Sequence, residues 1–94
     1  MESYQKAAEI NPHLWQSFQN IAAIYFQQKK YDKSEEFIKK AITINPKNLS
    51  LKDNLGIIYM ISGDKEKAKE VFSQVLSINP QDPVAQQGLS TVSK

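Results

Sequence analysis

The chain has 94 residues, of which 40% are hydrophobic and 23% charged, a composition typical of one small globular domain. The sequence has no run of about 18 apolar residues, the length needed to span a membrane. The absence of cysteine excludes disulfides and thiolate metal sites. The net charge is +2, and the basic residues are all lysines interleaved with acids, so a nucleic-acid-binding surface is not expected. The N-terminus has no basic flank before an apolar stretch, so we predict no secretion signal and a cytoplasmic location by default.

A tripeptide recurs at a fixed interval along the chain. Ile-Asn-Pro occupies residues 10–12, 44–46 and 78–80, so successive copies are 34 residues apart. Residues 11–44 align without a gap on residues 45–78, and in this alignment apolar residues fall on apolar residues and small residues on small ones. A fixed period of this length predicts repeated supersecondary units.

Each unit carries two apolar stripes at helical spacing, because residues three or four apart share one helix face. The stripes are Phe18, Ile21, Ala22 and Tyr25, then Phe37, Ile38, Ala41 and Ile42, and in the second unit Leu51, Leu55, Ile58 and Tyr59, then Val71, Phe72, Val75 and Leu76. Each unit is therefore predicted to be a pair of amphipathic helices. Residues 1–10 match the end of a preceding unit's second helix, and residues 79–94 are predicted to form a capping helix.

Local signals predict where the helices begin and end. Asp64 and Asp82 are expected to act as N-caps, and Gly63 suits the left-handed conformation that ends a helix. In the first unit Lys29 takes the position of Gly63, where a side chain costs about 1 kcal/mol. A capping box within residues 32–35 is predicted to compensate at the start of the next helix.

The period and the residues at its characteristic positions resemble the tetratricopeptide repeat. The matching residues are Phe18, Ile21, Ala22, Tyr25, Ser34, Ile38, Ala41 and Pro46 in the first unit, and Leu55, Gly56, Tyr59, Ala68, Phe72, Val75 and Pro80 in the second. Lys52 departs from the pattern, because the family usually has a large apolar residue there. The resemblance implies an all-α fold, a right-handed α-solenoid of antiparallel helix pairs with a C-terminal capping helix.

The resemblance also implies that the first helix of each unit lines a concave binding surface. The lining residues would be Gln16, Gln19, Asn20, Ala23, Phe26 and Gln27, then Ser50, Asp53, Asn54, Ile57, Met60 and Ile61, with Val84, Gln87 and Thr91 extending the row. Asn20 and Asn54 are one period apart and could bind a peptide backbone through their carboxamides, or could simply be tolerated on a solvated surface. The large apolar residues of this set are predicted either to form a binding patch or to be covered by a neighbouring unit or a symmetry partner; they are Phe26, Ile57, Met60 and Ile61.

Other chemistry has little support in the sequence. Some members of the family clamp the C-terminal carboxylates of chaperones with basic residues, but Gln19 and Ala23 occupy two of the clamp positions and the chain has no arginine, so that ligand is not expected. His13 has no second histidine or cysteine to complete a metal site or a nucleophile pair. We therefore predict no enzymatic activity, no metal and no cofactor.

The predicted function is a protein–protein interaction module that binds a peptide or helix on its concave surface. Two alternatives remain open: a structural repeat for self-assembly or domain docking, and an accessory region of a larger enzyme such as a glycosyltransferase. The expected partner is a protein or peptide, not a nucleic acid or a membrane. A homo-oligomer could form through the N-terminal end around Tyr4, Ala7 and Ile10.

Overall fold

The computed structural model describes residues 14–93, and the chain divides into two compact units, Met1–Asn48 and Leu49–Lys94. The helices are α1 (Trp15–Gln27) and α2 (Tyr31–Ile44) in the first unit, and α3 (Leu49–Ser62), α4 (Lys65–Ile78) and α5 (Pro83–Val92) in the second. Residues 14–93 contain no β-strand, so the predicted all-α class is confirmed. The expectations for residues 1–10, including the self-association surface, and for His13 fall outside the described residues.

The first unit is a helix pair held by an aromatic core. Phe18 of α1 and Phe37 of α2 are each only 1% exposed, and their ring centroids are 6.0 Å apart. Tyr25 also stacks on Phe37, with the two ring centroids 5.6 Å apart. Between the two helices, the buried Ser34 hydroxyl donates a 2.7 Å hydrogen bond to the Ala22 carbonyl. The repeat period therefore places small residues where the backbones meet and large ones where there is space to fill.

The turn between α1 and α2 uses the left-handed conformation predicted from the sequence. Lys29 has a φ of 63°, and Gly63 has a φ of 97° in the corresponding turn of the second unit. The predicted capping box is wrong, because an N-cap at Asp32 would start the helix two residues later than α2 actually begins, and its N-cap is Lys30, without a side-chain hydrogen bond. Asp32 instead lies in the first turn of α2, where its charge interacts favourably with the helix dipole.

The second unit packs three helices around one phenylalanine. Phe72 of α4 is completely buried, and its ring faces two glycines, Gly56 of α3 and Gly88 of α5. A Cβ atom added at Gly56 would lie 2.5 Å from the ring, which is closer than atoms can pack, and one at Gly88 would meet the same ring just as closely. The small residues of the repeat therefore let two helix backbones contact one aromatic side chain.

The starts of α4 and α5 confirm the predicted N-caps. The Asp64 carboxylate accepts a hydrogen bond of 3.2 Å from the backbone N–H of Lys67, and the Asp82 carboxylate accepts one of 3.1 Å from that of Val84. Pro83 is at the first position of α5, where its missing N–H has no consequence. These side chains fix where each helix begins.

Candidate functional site

In the first unit, the predicted binding residues of α1 lie on the side of the helix opposite the core. Phe18 and Ala22 point into the helix pair, so residues half a turn away around the helix face solvent. The exposed members of the predicted set are Gln16, Asn20, Ala23 and Gln27, whereas Gln19 and Phe26 are half-buried. Four of the six predicted residues on α1 are therefore freely accessible to a ligand.

Phe26 is half-buried because it packs against its own unit. Its ring makes an edge-to-face contact with Tyr31, the first residue of α2, with the centroids 5.6 Å apart. This geometry is favourable for aromatic pairs. Phe26 thus presents part of its ring to solvent while it also stabilises the turn between α1 and α2.

In the second unit, α3 presents the larger apolar groups of the predicted set. Ile61 is 51% exposed, while Asn54, Ile57 and Met60 are half-buried. Residues 54, 57 and 61 follow the three- and four-residue spacing of one helix face. The face of α3 therefore combines one carboxamide with branched apolar side chains.

Helix α5 packs against both α3 and α4, and it continues the predicted row within the same unit. Val84 is 40% exposed, and Gln87 and Thr91 are also exposed. The Thr91 hydroxyl donates a 2.9 Å hydrogen bond to the Gln87 carbonyl, which satisfies the hydroxyl within the helix. Within the predicted row, α5 thus presents an apolar side chain and a carboxamide, as α3 does.

Asp53 lies in a different environment from the rest of the predicted set. It is only 6% exposed, and Asp82, the N-cap of α5, is 7% exposed. Burial is the main cause that raises the pKa of Asp53 to about 7, and the hydrogen bond to Asp82 and the negative charge of Asp82 raise it further. The Asp53 Oδ1 atom has no hydrogen-bond partner among the described residues. Asp53 is therefore a buried acid between α3 and α5, not an exposed ligand contact.

The charged residues are distributed unevenly among the five helices. Helices α1 and α5 contain no charged residue, and α3 contains only Lys52 and Asp53. In contrast, α2 contains six charged residues and α4 contains five. Lys52 lines a shallow groove with residues of α4, among them Glu70, on the side of α3 away from Asn54 and Ile61. The faces that carry the predicted binding residues are therefore almost uncharged.

Metal-ligand clusters and membrane-spanning helices are both absent from the described residues. Among residues 14–93, no three or more His, Cys, Asp or Glu side chains are grouped so that they could hold a metal ion. In the same part of the chain, no helix has the length and apolar character needed to cross a membrane. The faces that carry the predicted binding residues offer hydrogen-bonding amides and apolar groups, which are suited to binding polypeptide.

Comparisons with known proteins identify similar sequences and folds. Two profiles, each described as "Tetratricopeptide repeat", match residues 15–48 and 49–82. The second such domain of human RPAP3, solved by NMR in complex with the HSP70 peptide SGPTIEEVD, superposes with a TM-score of 0.76 at 26% sequence identity, covering 89% of this chain and 68% of that one. The first such domain of Spaghetti (RPAP3), bound to the HSP90 peptide SRMEEVD, gives a TM-score of 0.77 at 26% identity, covering 98% and 73%. A comparison with curated protein sequences gives no match.

Proposed function

The chain belongs to the tetratricopeptide repeat family, and from this premise we propose that it is an interaction module that binds a peptide or helix of a partner protein on the solvent-facing sides of its first helices. The observation that carries the proposal is the accessible apolar face of α3, where Ile61 is 51% exposed beside the half-buried Asn54 and Ile57. Apolar groups flanked by a few hydrogen-bonding side chains are typical of ligand-binding surfaces.

The structural relatives support a peptide as the ligand. The domains of human RPAP3 and Spaghetti were both determined with a short peptide bound. In this chain, Asn54 on α3 and Gln87 on α5 can each donate to a peptide carbonyl and accept from a peptide N–H. Backbone recognition of this kind holds an extended segment without depending on its side chains. Asn20 on α1 offers the same chemistry in the first unit.

The proposal also covers catalysis, cellular location, the class of partner and the boundaries of the repeats. We assign it a binding function without catalysis, in the cytoplasm, with a protein or peptide partner and no nucleic acid. We place the repeats at residues 11–44 and 45–78, with residues 79–94 as the cap, a division that starts four residues earlier than the matched profiles. Self-assembly is the competing function, and a homo-oligomer through the N-terminal end around Tyr4, Ala7 and Ile10 is its specific form.

The test uses one variant on the proposed surface and one matched control. Ile61 of α3 and Ile78 of α4 are exposed to a similar degree, 51% and 63%, but only Ile61 lies on a first helix. Peptides selected from a display library on the wild-type chain would be titrated calorimetrically against Ile61→Ser and Ile78→Ser. We expect Ile61→Ser to weaken binding about tenfold, because an apolar contact of this size contributes 1 to 2 kcal/mol, and Ile78→Ser to leave it unchanged.

Two outcomes would contradict the proposal. Equal losses in both variants would place the ligand elsewhere on the chain. A library that yields no binder, together with a sedimentation profile showing concentration-dependent oligomers, would favour self-assembly instead. Asn54→Ala adds a finer test, since it removes the carboxamide and should weaken an extended peptide by about fivefold if the backbone is recognised.

A further inference from the structure

We propose that the ligand of this surface is a peptide segment without charged side chains at its contact positions, anchored by a branched apolar side chain against α3. The inference rests on the proposed function and specifies the chemistry of the partner. Its basis is the uneven distribution of charge among the helices, together with the location of the only two charged residues on the first helices.

The helices that carry the proposed surface, α1, α3 and α5, place no charged side chain on it. Helices α1 and α5 contain no charged residue at all. On α3, Asp53 is buried beside Asp82, and Lys52 lines the groove with Glu70 of α4. Because residues 52 and 54 are about 200° apart around a helix of 3.6 residues per turn, Lys52 points away from the face that carries Asn54 and Ile61.

An uncharged surface discriminates against a charged ligand through desolvation. A carboxylate or ammonium group that contacts α3 would lose part of its hydration and meet no opposite charge, so the free energy of binding becomes less favourable. An apolar side chain that contacts Ile57 and Ile61 loses no such hydration and gains from the area it buries. The discrimination arises at the α3 surface itself and requires no special shape of the ligand.

The peptides bound to the structural relatives provide the contrast. Both peptides end in Glu-Glu-Val-Asp, with three acidic side chains before the terminal carboxylate. Ligands of this kind are bound most strongly where cations are available to pair with the carboxylates. In this chain the predicted binding faces carry the half-buried Gln19 and the exposed Ala23 on α1, and the half-buried Asn54 and Ile57 on α3. This chain therefore shares the fold of these relatives, but its described first-helix faces lack the cations that an acidic peptide needs.

The first experiment compares two probes that differ only in charge. One probe is the N-acetylated peptide SGPTIEEVD with a free C-terminus, and the other is its neutral analogue SGPTIQQVN, also N-acetylated and with an amidated C-terminus. Each would be titrated against the wild-type chain at low and high sodium chloride. We expect the neutral probe to bind at least about tenfold more tightly, because each uncompensated charge costs 1 kcal/mol or more, and its affinity to be independent of salt.

A charge-introducing variant makes the test independent of the probe's own sequence. Ile61→Lys adds a cation to the proposed surface, and Ile78→Lys adds one to α4 as the matched control. We expect Ile61→Lys to reverse the preference towards the acidic probe and Ile78→Lys to leave the preference unchanged. Circular dichroism would verify that both variants fold, and Val84→Lys, at a residue of α5 that is 40% exposed, adds the cation at a second place on the same surface if Ile61→Lys does not fold.

The second experiment is an unbiased positional library of amidated heptapeptides. Enrichment of Ile, Leu, Val, Met or Phe, with depletion of Asp, Glu, Lys and Arg, supports the inference. Enrichment of acidic residues, or a salt-sensitive preference for the acidic probe, would overturn the inference and leave the peptide-binding function intact. If neither probe nor any library peptide binds, the proposed function itself fails. The two failures are therefore distinguishable.

Discussion

The two complete repeats use one period to build different interiors. In the first unit, Phe18 and Phe37 form a buried aromatic pair, whereas the residues one period later are Lys52 and Val71. Lys52 is half-buried and lines an open groove beside α4. The second unit instead centres on Phe72, which contacts the glycines of α3 and α5. The period thus fixes where helices lie, while each unit places its largest side chain at a different position along them.

The turns that join the two helices of each pair also share one geometry while their residues differ. Gly63 adopts its positive φ without a Cβ atom, while Lys29 adopts it with a full side chain. In both turns the backbone N–H after the left-handed residue hydrogen-bonds to a tyrosine carbonyl, from Lys30 to Tyr25 at 2.9 Å and from Asp64 to Tyr59 at 2.8 Å. The same geometry therefore persists in the first unit even though its residue is less suited to it. The comparison shows that packing of the helix pair can maintain a turn against local preference.

The largest expected effect comes from removing the aromatic pair of the first unit. Phe18→Ala should lower the free energy of unfolding by about 3 to 5 kcal/mol, because it leaves a cavity in a fully packed site. Lys52→Ala, the same position one period later, should change it by less than about 1 kcal/mol. Urea unfolding followed by circular dichroism measures both. If Phe18→Ala does not fold, Phe18→Leu provides a smaller loss at the same site, and equal losses at residues 18 and 52 would contradict the comparison.

The second prediction concerns the acid pair, which the first unit lacks. The folded pKa of Asp53 is about 7 against an ordinary 3.8, so the folded chain binds this proton more tightly than the unfolded chain. The free energy of unfolding should therefore fall as pH rises from about 4 to about 7, and level off above that. Asp53→Asn removes this dependence and should be more stable than the wild type at pH 8 by on the order of 2 kcal/mol.

Thermal unfolding of the two proteins across pH 4 to 8 tests the prediction. The difference between their midpoints should be small at acidic pH and should grow through the neutral range. Parallel curves would mean that Asp53 is ionised in the folded chain throughout, and would remove the case for a protonated acid at this site. Asp82→Asn is a useful companion, because it removes the repelling charge while keeping a residue that can cap α5.

The third prediction exchanges the turn residues. Lys29→Gly should stabilise the chain by about 1 kcal/mol because it relieves the left-handed conformation. Gly63→Ala should destabilise it by a similar amount, and no atom lies within 4 Å of the added Cβ, so the effect would be conformational and not steric. Chemical denaturation of both variants measures the pair. The two variants should change the free energy of unfolding in opposite directions, and two changes of the same sign would refute the conformational explanation.

Much of the fold follows from the sequence, but the contacts between helices follow only in part. The stripe of Phe18 and Ala22 predicts a buried face, and the carboxylates of Asp64 and Asp82 predict helix starts, because these signals act within one turn of helix. The burial of Asp53 was not predicted. The repeat period gives its angular position on α3, but not the packing distance that brings it against the N-cap of α5. Helix α5 packs against α3, so the predicted N-cap position of Asp82 at the start of α5 is the signal in the sequence that could have suggested this pair.

The smallest expected effect concerns an ion pair that the period does not repeat. Glu35 and Lys39 of α2 are 2.7 Å apart, one helical turn from each other, and the residues one period later are Lys69 and Ser73. Because the Lys39 side chain is 53% exposed, Glu35→Gln should lower the free energy of unfolding by only about 0.3 to 0.5 kcal/mol, and less at high salt. The double variant with Lys39→Gln isolates the pair, since its coupling energy excludes changes in helix propensity. A coupling energy above 1 kcal/mol would show that the pair contributes to packing and not only to surface electrostatics, and the two units would then differ in their surfaces as much as in their cores.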